Sequence, residues 1–367
     1  MMTICFDFGP EIRTDKGYMK VTSSDTYEKE KGFGFADCVN ITAIKRNDDL
    51  FTGDYCIPFE AVFLADVENG NYIVSVLIGD PIAPTSTTIK TNGERLVLNN
   101  VCTVAGQFTR ETFAVHVREG QMKLSFSGIA PRINTLEITP STEQITLYLA
   151  GDSTVTDSSP DGFPFSGWGQ MLSSFFKHDV AVSNHAVGGR SSKSFITEGR
   201  LDAFKENMRE GDYLFIQFGH NDQKQDEHRH TDSASTYKEY LRQYIEAARS
   251  RRAQPILVTS VHRRYFEESG KLKDTHKGYP EAMRELAGEE NVPLIDLAEK
   301  SAKLFEALGP EGTKSVFLWG ASGEWMNYSA GVKDNTHFQE QGSLRIGRLV
   351  VEGIRELNLL SLIMFLR

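Results

Sequence analysis

A change of hydrophobic period near residue 140 constrains the fold more than any other feature of the chain. Upstream of it, Tyr72, Val74, Val76 and Ile78 alternate with polar residues after an Asn69-Gly70 turn signal, and Met122, Leu124 and Phe126 alternate after Gly120. A second Asn92-Gly93 pair precedes Arg95-Leu96-Val97-Leu98. A period of two puts successive side chains on opposite faces of a strand, and Asn-Gly favours the positive φ of tight hairpins. Short strands punctuated this way predict an antiparallel β-sandwich over residues 1–140. Residues 139–143, Thr-Pro-Ser-Thr-Glu, read as a linker.

Beyond the linker, apolar runs alternate with stretches of helical period. Strands are expected at residues 145–150, 180–184, 213–219, 255–261 and 293–297, and helices at 168–177, 235–251, 280–290, 298–308 and 340–357. Parallel neighbours need a crossover, so this order predicts a three-layer α/β unit over residues 145–367, a doubly wound parallel sheet of about five strands. In such sheets a site forms beyond the carboxyl ends of the strands.

Length and charge narrow the function. A chain of 367 residues has room for two cores. Forty Lys and Arg against 50 Asp and Glu leave a net charge of −10, which repels a polyanion and disfavours nucleic acid as a partner. Residues 357–366 are broken by Asn358 and Ser361 and reach about half the ~20 residues of a membrane span, so they read as a final packing helix and no membrane association is expected. The first residues lack a basic region followed by an apolar run and place Asp7 early; the expectation is a cytoplasmic protein without an export signal, or an extracellular one if a leader precedes these residues. Cys5, Cys38, Cys56 and Cys102 form no Cys-x-x-Cys pair and are expected as reduced, buried thiols.

Polar clusters fall where the strand ends should be: Gly151-Asp152-Ser153-Thr154, Asn184-His185-Ala186-Val187-Gly188-Gly189-Arg190-Ser191, and Gly219-His220-Asn221-Asp222. Much later comes Asp334-Asn335-Thr336-His337, whose spacing of three lets a carboxylate and an imidazole face the same side of a turn. These are the parts of an acyl-transfer centre. A serine hydroxyl needs a neighbouring base to act as a nucleophile; His337 supplies one for Ser153, and Asp334 would orient its ring. The oxyanion formed on attack needs donors already in place, here the amides of Ser153 and Gly189 and the side chain of Asn221. Glycine at 189 would let the backbone approach a ligand without a Cβ in the way.

In these four blocks the sequence resembles the SGNH (GDSL-type) hydrolases, whose Ser, Gly, Asn and His fall in this order and match Ser153, Gly189, Asn221 and His337. Within them it is similar to the rhamnogalacturonan acetylesterases, through Gly167-Trp168-Gly169, Asn184-x-Ala186-x-x-Gly189-Arg190-Ser191, Glu198-Gly199-Arg200 and Asp334-x-Thr336-His337. The N-terminal region, through Phe6-Asp7-Phe8-Gly9 and its alternating strands, resembles a galactose-binding-like domain. The resemblance implies a flavodoxin-like fold and a Ser-His-Asp esterase that removes acetyl groups from pectic oligosaccharides without metal or cofactor. Galacturonate is an acid, so basic residues must reverse the field locally; Arg190, Lys193, Arg200, Arg263 and Arg264 follow the strand ends, and Trp325 and Tyr328 are placed to stack on a sugar ring.

Other readings remain open at this stage: another acetylated sugar of the xylan type, a short acyl ester or thioester, a carbohydrate-binding protein, or a metallophosphoesterase, whose early Asp-x-His and late Gly-His-x-His are missing. Asp222, Asp226, His228 and His230 have metal-ligand chemistry but read better as a charged exposed loop. Asp152 and Asp222 are expected to hold their loops, Trp168 to pack at a helix start, and Trp319 to sit in the core.

Overall fold

The computed structural model describes residues 2–11 and 15–367. It divides into two compact units, one made of the segment up to Gln144 with Phe176–Ala181 and Arg367, the other of Ile145–Phe175 and Val182–Leu366.

The first unit carries two five-stranded sheets. One runs Phe108–Val117, Gly70–Gly79, Thr135–Ser141, Ile4–Phe8 and Tyr18–Val21 from edge to edge; the other runs Phe33–Phe35, Ala61–Asp66, Gln121–Ala130, Thr85–Thr91 and Arg95–Thr103. All these pairings are antiparallel except that of Ile4–Phe8 with Tyr18–Val21. The period of two does what it predicts: Tyr72, Val74, Val76 and Ile78 from one sheet and Met122, Leu124 and Phe126 from the other share one core. Around Phe63 the rings of Phe6, Phe8 and Phe35 pack edge to face with centroids 5.1, 5.2 and 5.4 Å away, the arrangement that aromatic quadrupoles favour.

Two expectations are corrected in this unit. Thr139, Pro140 and Ser141 are not linker but strand, paired with Ile73, Tyr72 and Asn71. The four cysteines are free, yet only Cys56 is buried; Cys102 is exposed, because the pleat that turns Thr103 inward turns Cys102 out.

In the second unit a sheet of five strands is ordered Val180–Asn184, Ile145–Gly151, Tyr213–Gln217, Gln254–Val258, Leu294–Ile295. The Ile145–Gly151, Tyr213–Gln217, Gln254–Val258 and Leu294–Ile295 strands pair in parallel. Helices cover both faces of such a sheet, which is why its strands read as unbroken apolar runs rather than alternating ones. From Ile145–Gly151 the chain goes first to Val180–Asn184 on one side and then to Tyr213–Gln217 on the other, so the switch point lies between Ile145–Gly151 and Tyr213–Gln217, at their carboxyl ends.

The long helices Thr236–Ser250, Tyr279–Glu289, Leu297–Gly312 and Glu340–Glu356 fall where the period places them. The expected helix at 168–177 is instead one α turn, Trp168–Met171, followed by a tighter 3-10 segment, Leu172–Phe175. The apolar tail holds only a short helix, Leu360–Ile363. Among the described residues no helix is long and apolar enough to cross a membrane.

One element escaped the periodicity: a three-stranded antiparallel sheet in which Val332–Gln339 lies between Phe165–Ser166 and Phe317–Gly320. Trp319 belongs to it and is not a core residue. Its half-buried ring is covered by cations, with the Arg264 guanidinium 4.4 Å and the Lys314 ammonium 5.0 Å from the centroid.

Candidate active site

Ser153 stands two residues beyond the Ile145–Gly151 strand, in a turn that its neighbour Asp152 ties down. Asp152 is fully buried; its Oδ1 accepts from the Thr154 amide at 2.9 Å and the Thr154 hydroxyl at 2.8 Å. Thr154 Oγ1 in turn accepts from Gln217 Nε2 at 2.6 Å, and Gln217 Oε1 from the Trp168 indole at 2.9 Å. The Trp168 ring, 1% exposed, is thus a packing residue that also fixes the support of the serine turn.

The imidazole comes from the small antiparallel sheet. His337 Nε2 lies 2.8 Å from Ser153 Oγ, and its Nδ1 lies 2.7 Å from Asp334 Oδ2. Asp334 Oδ1 accepts from the backbone amides of Thr336 at 2.7 Å and His337 at 2.9 Å. The spacing of three therefore works through a carboxylate-capped turn in the Val332–Gln339 strand, a local bond that Asp forms readily.

Burial works to raise the Asp334 carboxyl. The bonds from the His337 ring and from the backbone amides of His337 and Thr336 outweigh it and hold the group below its usual range. An ionised Asp334 demands a hydrogen on His337 Nδ1, which leaves Nε2 bare and facing the serine hydroxyl. Phe165 packs nearly perpendicular to the imidazole, with centroids 5.2 Å apart and planes at 84°; it lies in the two-residue Phe165–Ser166 strand, too short to leave a period in the sequence.

The Gly188-Gly189 turn abuts the serine: a Cβ added to Gly188 would sit 3.5 Å from Ser153 Cβ. Gly189 has φ of +80°, and an added Cβ there would meet no described atom within 4 Å. The backbone needs glycine at 189 for its left-handed conformation, not to relieve crowding. Asn221, 8% exposed, gives one hydrogen of Nδ2 to the Arg190 carbonyl at 3.1 Å and keeps the other. Asp222 is not part of an exposed loop: it is buried, and its Oδ1 accepts from the Ser192 amide at 3.0 Å and the Thr231 hydroxyl at 3.2 Å, which pins the Asn221 turn. Burial, joined by the nearby Asp152 charge and opposed by those bonds, pushes its carboxyl up to about 7. The other members of that cluster are engaged apart from it, Asp226 with Arg229 at 2.7 Å, His228 with Glu198 at 3.1 Å, and His230 with the Lys224 carbonyl at 2.9 Å.

The basic residues divide by what they bond. Arg190 and Arg200 both bond Glu198, at 3.1 and 2.5 Å, and Arg190 also donates to the Gly188 carbonyl at 2.9 Å. Lys193 caps the Glu227 carbonyl at the surface. Arg263 spends its guanidinium on the main-chain carbonyls of Thr275 and His220, at 3.0 and 3.1 Å, rather than holding it out for a carboxylate. Arg264 is corrected outright: 9% exposed, it donates to Thr313 Oγ1, Asn335 Oδ1 and the Pro310 carbonyl and covers Trp319, so it braces the small sheet from within.

Trp325 and Tyr328 lie in the loop that enters the Val332–Gln339 strand. The Trp325 ring meets Phe163 edge-on at 5.8 Å, Asn327 Nδ2 donates to the Phe163 and Pro160 carbonyls at 2.9 and 3.1 Å, and the Tyr328 hydroxyl reaches Gly162 O at 3.4 Å. Two loops are thereby laced into one aromatic rim, attached to the strands that bear Phe165 and His337.

Comparison with known proteins agrees with this geometry. The sequence profile of the GDSL-like lipase/acylhydrolase family matches residues 149–343, and that of the galactose-binding-domain-like region of β-agarase/YXIM esterase-like proteins matches residues 4–137. A protein of Bacillus subtilis named rhamnogalacturonan acetylesterase RhgT is 49% identical over 215 residues, which cover 59% of this chain and 91% of that protein. The uncharacterized esterase YxiM of the same organism is 29% identical over 368 residues, or 95% of this chain and 90% of that protein. The crystal structure of YxiM superimposes with a TM-score of 0.53 at 28% identity, covering 97% of this chain and 98% of that one. With the profile spanning the parallel sheet and all four blocks, the chain belongs to the GDSL-like lipase/acylhydrolase family.

Proposed function

We propose that this chain is a serine esterase that removes acetyl groups from acetylated rhamnogalacturonan oligosaccharides. The observation that carries the chemistry is the unbroken relay from Ser153 Oγ through His337 to Asp334, with links of 2.8 and 2.7 Å. Ser153 attacks the acetyl carbonyl while His337 Nε2 takes its proton, and Asp334 holds the imidazolium that results. The Ser153 and Gly189 amides and the free hydrogen of Asn221 Nδ2 receive the charge that develops on the carbonyl oxygen. Collapse breaks the bond between the acetyl carbon and the sugar oxygen, His337 hands its proton to that departing oxygen, and the acetyl-enzyme left behind is hydrolysed by water through the same groups.

The substrate class rests on the relative named a rhamnogalacturonan acetylesterase, 49% identical over 215 residues. The aromatic rim of Trp325 and Tyr328 offers faces for a sugar ring, and Arg190 with Arg200 outweigh Glu198 by one charge, which suits a uronic acid. The test is acetate release from acetylated rhamnogalacturonan oligosaccharides beside acetylated xylan oligosaccharides and an aryl acetate, with Ser153→Ala as control. The expected result is preference for the first substrate and loss of all turnover in Ser153→Ala. Activity that survives Ser153→Ala in a folded protein refutes the mechanism, and equal rates on the two oligosaccharides refute the substrate.

A further inference from the structure

Behind the proposed centre lies a buried group that the relay does not use. His220, 3% exposed, has Nε2 2.9 Å from the Val261 carbonyl and Nδ1 3.2 Å from Asp152 Oδ2. A carbonyl can only accept, so Nε2 carries a hydrogen. A second hydrogen must then lie between Nδ1 and Oδ2, since two bare acceptors at that distance would repel. Asp152 Oδ1 already accepts two hydrogens, from the Thr154 amide at 2.9 Å and the Thr154 hydroxyl at 2.8 Å, bonds that favour the ionised carboxylate. The second hydrogen is therefore placed on the ring.

The surroundings fit one positive imidazole there and no more. His276 is wholly buried with both ring nitrogens unpartnered among the described residues, and it packs edge to face on His220 at 4.8 Å. Burial, then the Arg263 guanidinium among its neighbours, holds His276 well below its usual range, so it stays neutral. Arg263 reaches the His220 carbonyl at 3.1 Å, His262 meets the far side of His276 at 5.6 Å, and Asp222 lies near enough to Asp152 to feel its charge.

We infer that Asp152 and a doubly protonated His220 form a buried ion pair that sets the distance between the nucleophile and the Asn221 oxyanion donor. The inference rests on the esterase reading above. Asp152 immediately precedes Ser153 and His220 immediately precedes Asn221, so one side-chain bond ties two catalytic turns from adjacent strands, and the Val261 bond anchors both to a third. These are positioning residues: neither has a route to substrate except through its neighbour.

The test uses Asp152→Asn, His220→Asn and the double variant in the full chain, assayed on an aryl acetate. Each single variant is expected to lower kcat by about 10- to 100-fold, as displacements of about 1 Å do, with KM within about twofold. The double variant is expected to lose no more than the worse single, because the two act as one unit. Folded singles within threefold of the wild type, or a double whose loss is the product of the two, overturn the inference. A second measurement does not depend on activity or on the folding of the variants: imidazole nitrogen spectra of the Ser153→Ala protein near neutral pH. Two exchange-protected N–H groups assigned to His220 are expected, and a single one overturns the pair. A wild type with no serine-dependent acetate release would refute the esterase reading instead, and the spectra would still decide the pair.

Discussion

Asp334→Asn is the substitution that most directly interrogates the relay. The carboxylate accepts three hydrogens, two backbone amides at Oδ1 and the His337 ring at Oδ2. Asparagine keeps an oxygen for the two amides, so the turn survives and the folding cost is limited to one charge-assisted bond, about 1.5–3 kcal/mol. At the other position it offers N–H where the ring also offers N–H. The imidazole escapes by moving its hydrogen to Nε2, the nitrogen 2.8 Å from Ser153 Oγ, and a protonated Nε2 cannot accept the serine proton. Loss of the working tautomer costs about 10⁴-fold in kcat in serine hydrolases, about 5 kcal/mol of barrier. The assay is steady-state hydrolysis of an aryl acetate, with Ser153→Ala as the floor and thermal unfolding as a check on the fold. A loss below tenfold in a stable protein would refute the claim that Asp334 sets the tautomer, and would reduce it to an anchor for the turn.

Further outcomes follow from the geometry. Asp222 has its folded value raised from 3.8 to about 7; between those values the unfolded chain has lost a proton that the folded chain keeps, so the group's contribution to stability falls as pH rises, by at most about 1.4 kcal/mol per pH unit. Asp222→Asn removes that slope, so urea midpoints at pH 4.5 and 7.5 should favour the variant increasingly toward the higher pH, and a constant difference refutes the assignment. Arg264→Ala, which removes the bonds to Thr313 and Asn335 and uncovers Trp319, is expected to cost about 2–4 kcal/mol of stability. It should leave the ratio of KM for acidic and neutral acetyl esters unchanged; a selective rise for acidic esters would return Arg264 to the substrate. Gly189→Ala places a Cβ at φ +80° and is expected to cost about 1–2 kcal/mol, read from the urea midpoint; no change would show that the turn relaxes.

What the sequence revealed depended on range. The sandwich strands and the parallel sheet were legible because burial on one face or on both leaves a periodic or continuous apolar trace, as in Tyr72 to Ile78 and residues 213–217. The candidates Ser153, Gly189 and Asn221 were legible as clusters at strand ends, and His337 by the Asp334 three residues before it and its place after them in the order. The sheet that carries His337 was not: its Phe165–Ser166 strand has two residues and its Val332–Gln339 strand is mostly half-buried and polar, so neither period stands out. Arg264 was misread because charge is a surface signal in sequence, and only the fold reveals that Thr313, Asn335 and Trp319 enclose it. The Asp152–His220 pair spans 68 residues, and no local pattern announces a bond of that span.

Ser153 and His337 are separated by 184 positions, and the base rides on a ribbon delivered near the end of the chain. Contacts so distant in sequence carry a large loop-closure cost and form late in folding. The parallel sheet needs nothing from residues 332–339 for its own strand pairing, so secondary structure can be complete while the enzyme is still inert. During refolding from denaturant, recovery of esterase turnover should trail recovery of the far-ultraviolet signal, and catalysis becomes a clock for the last step of assembly.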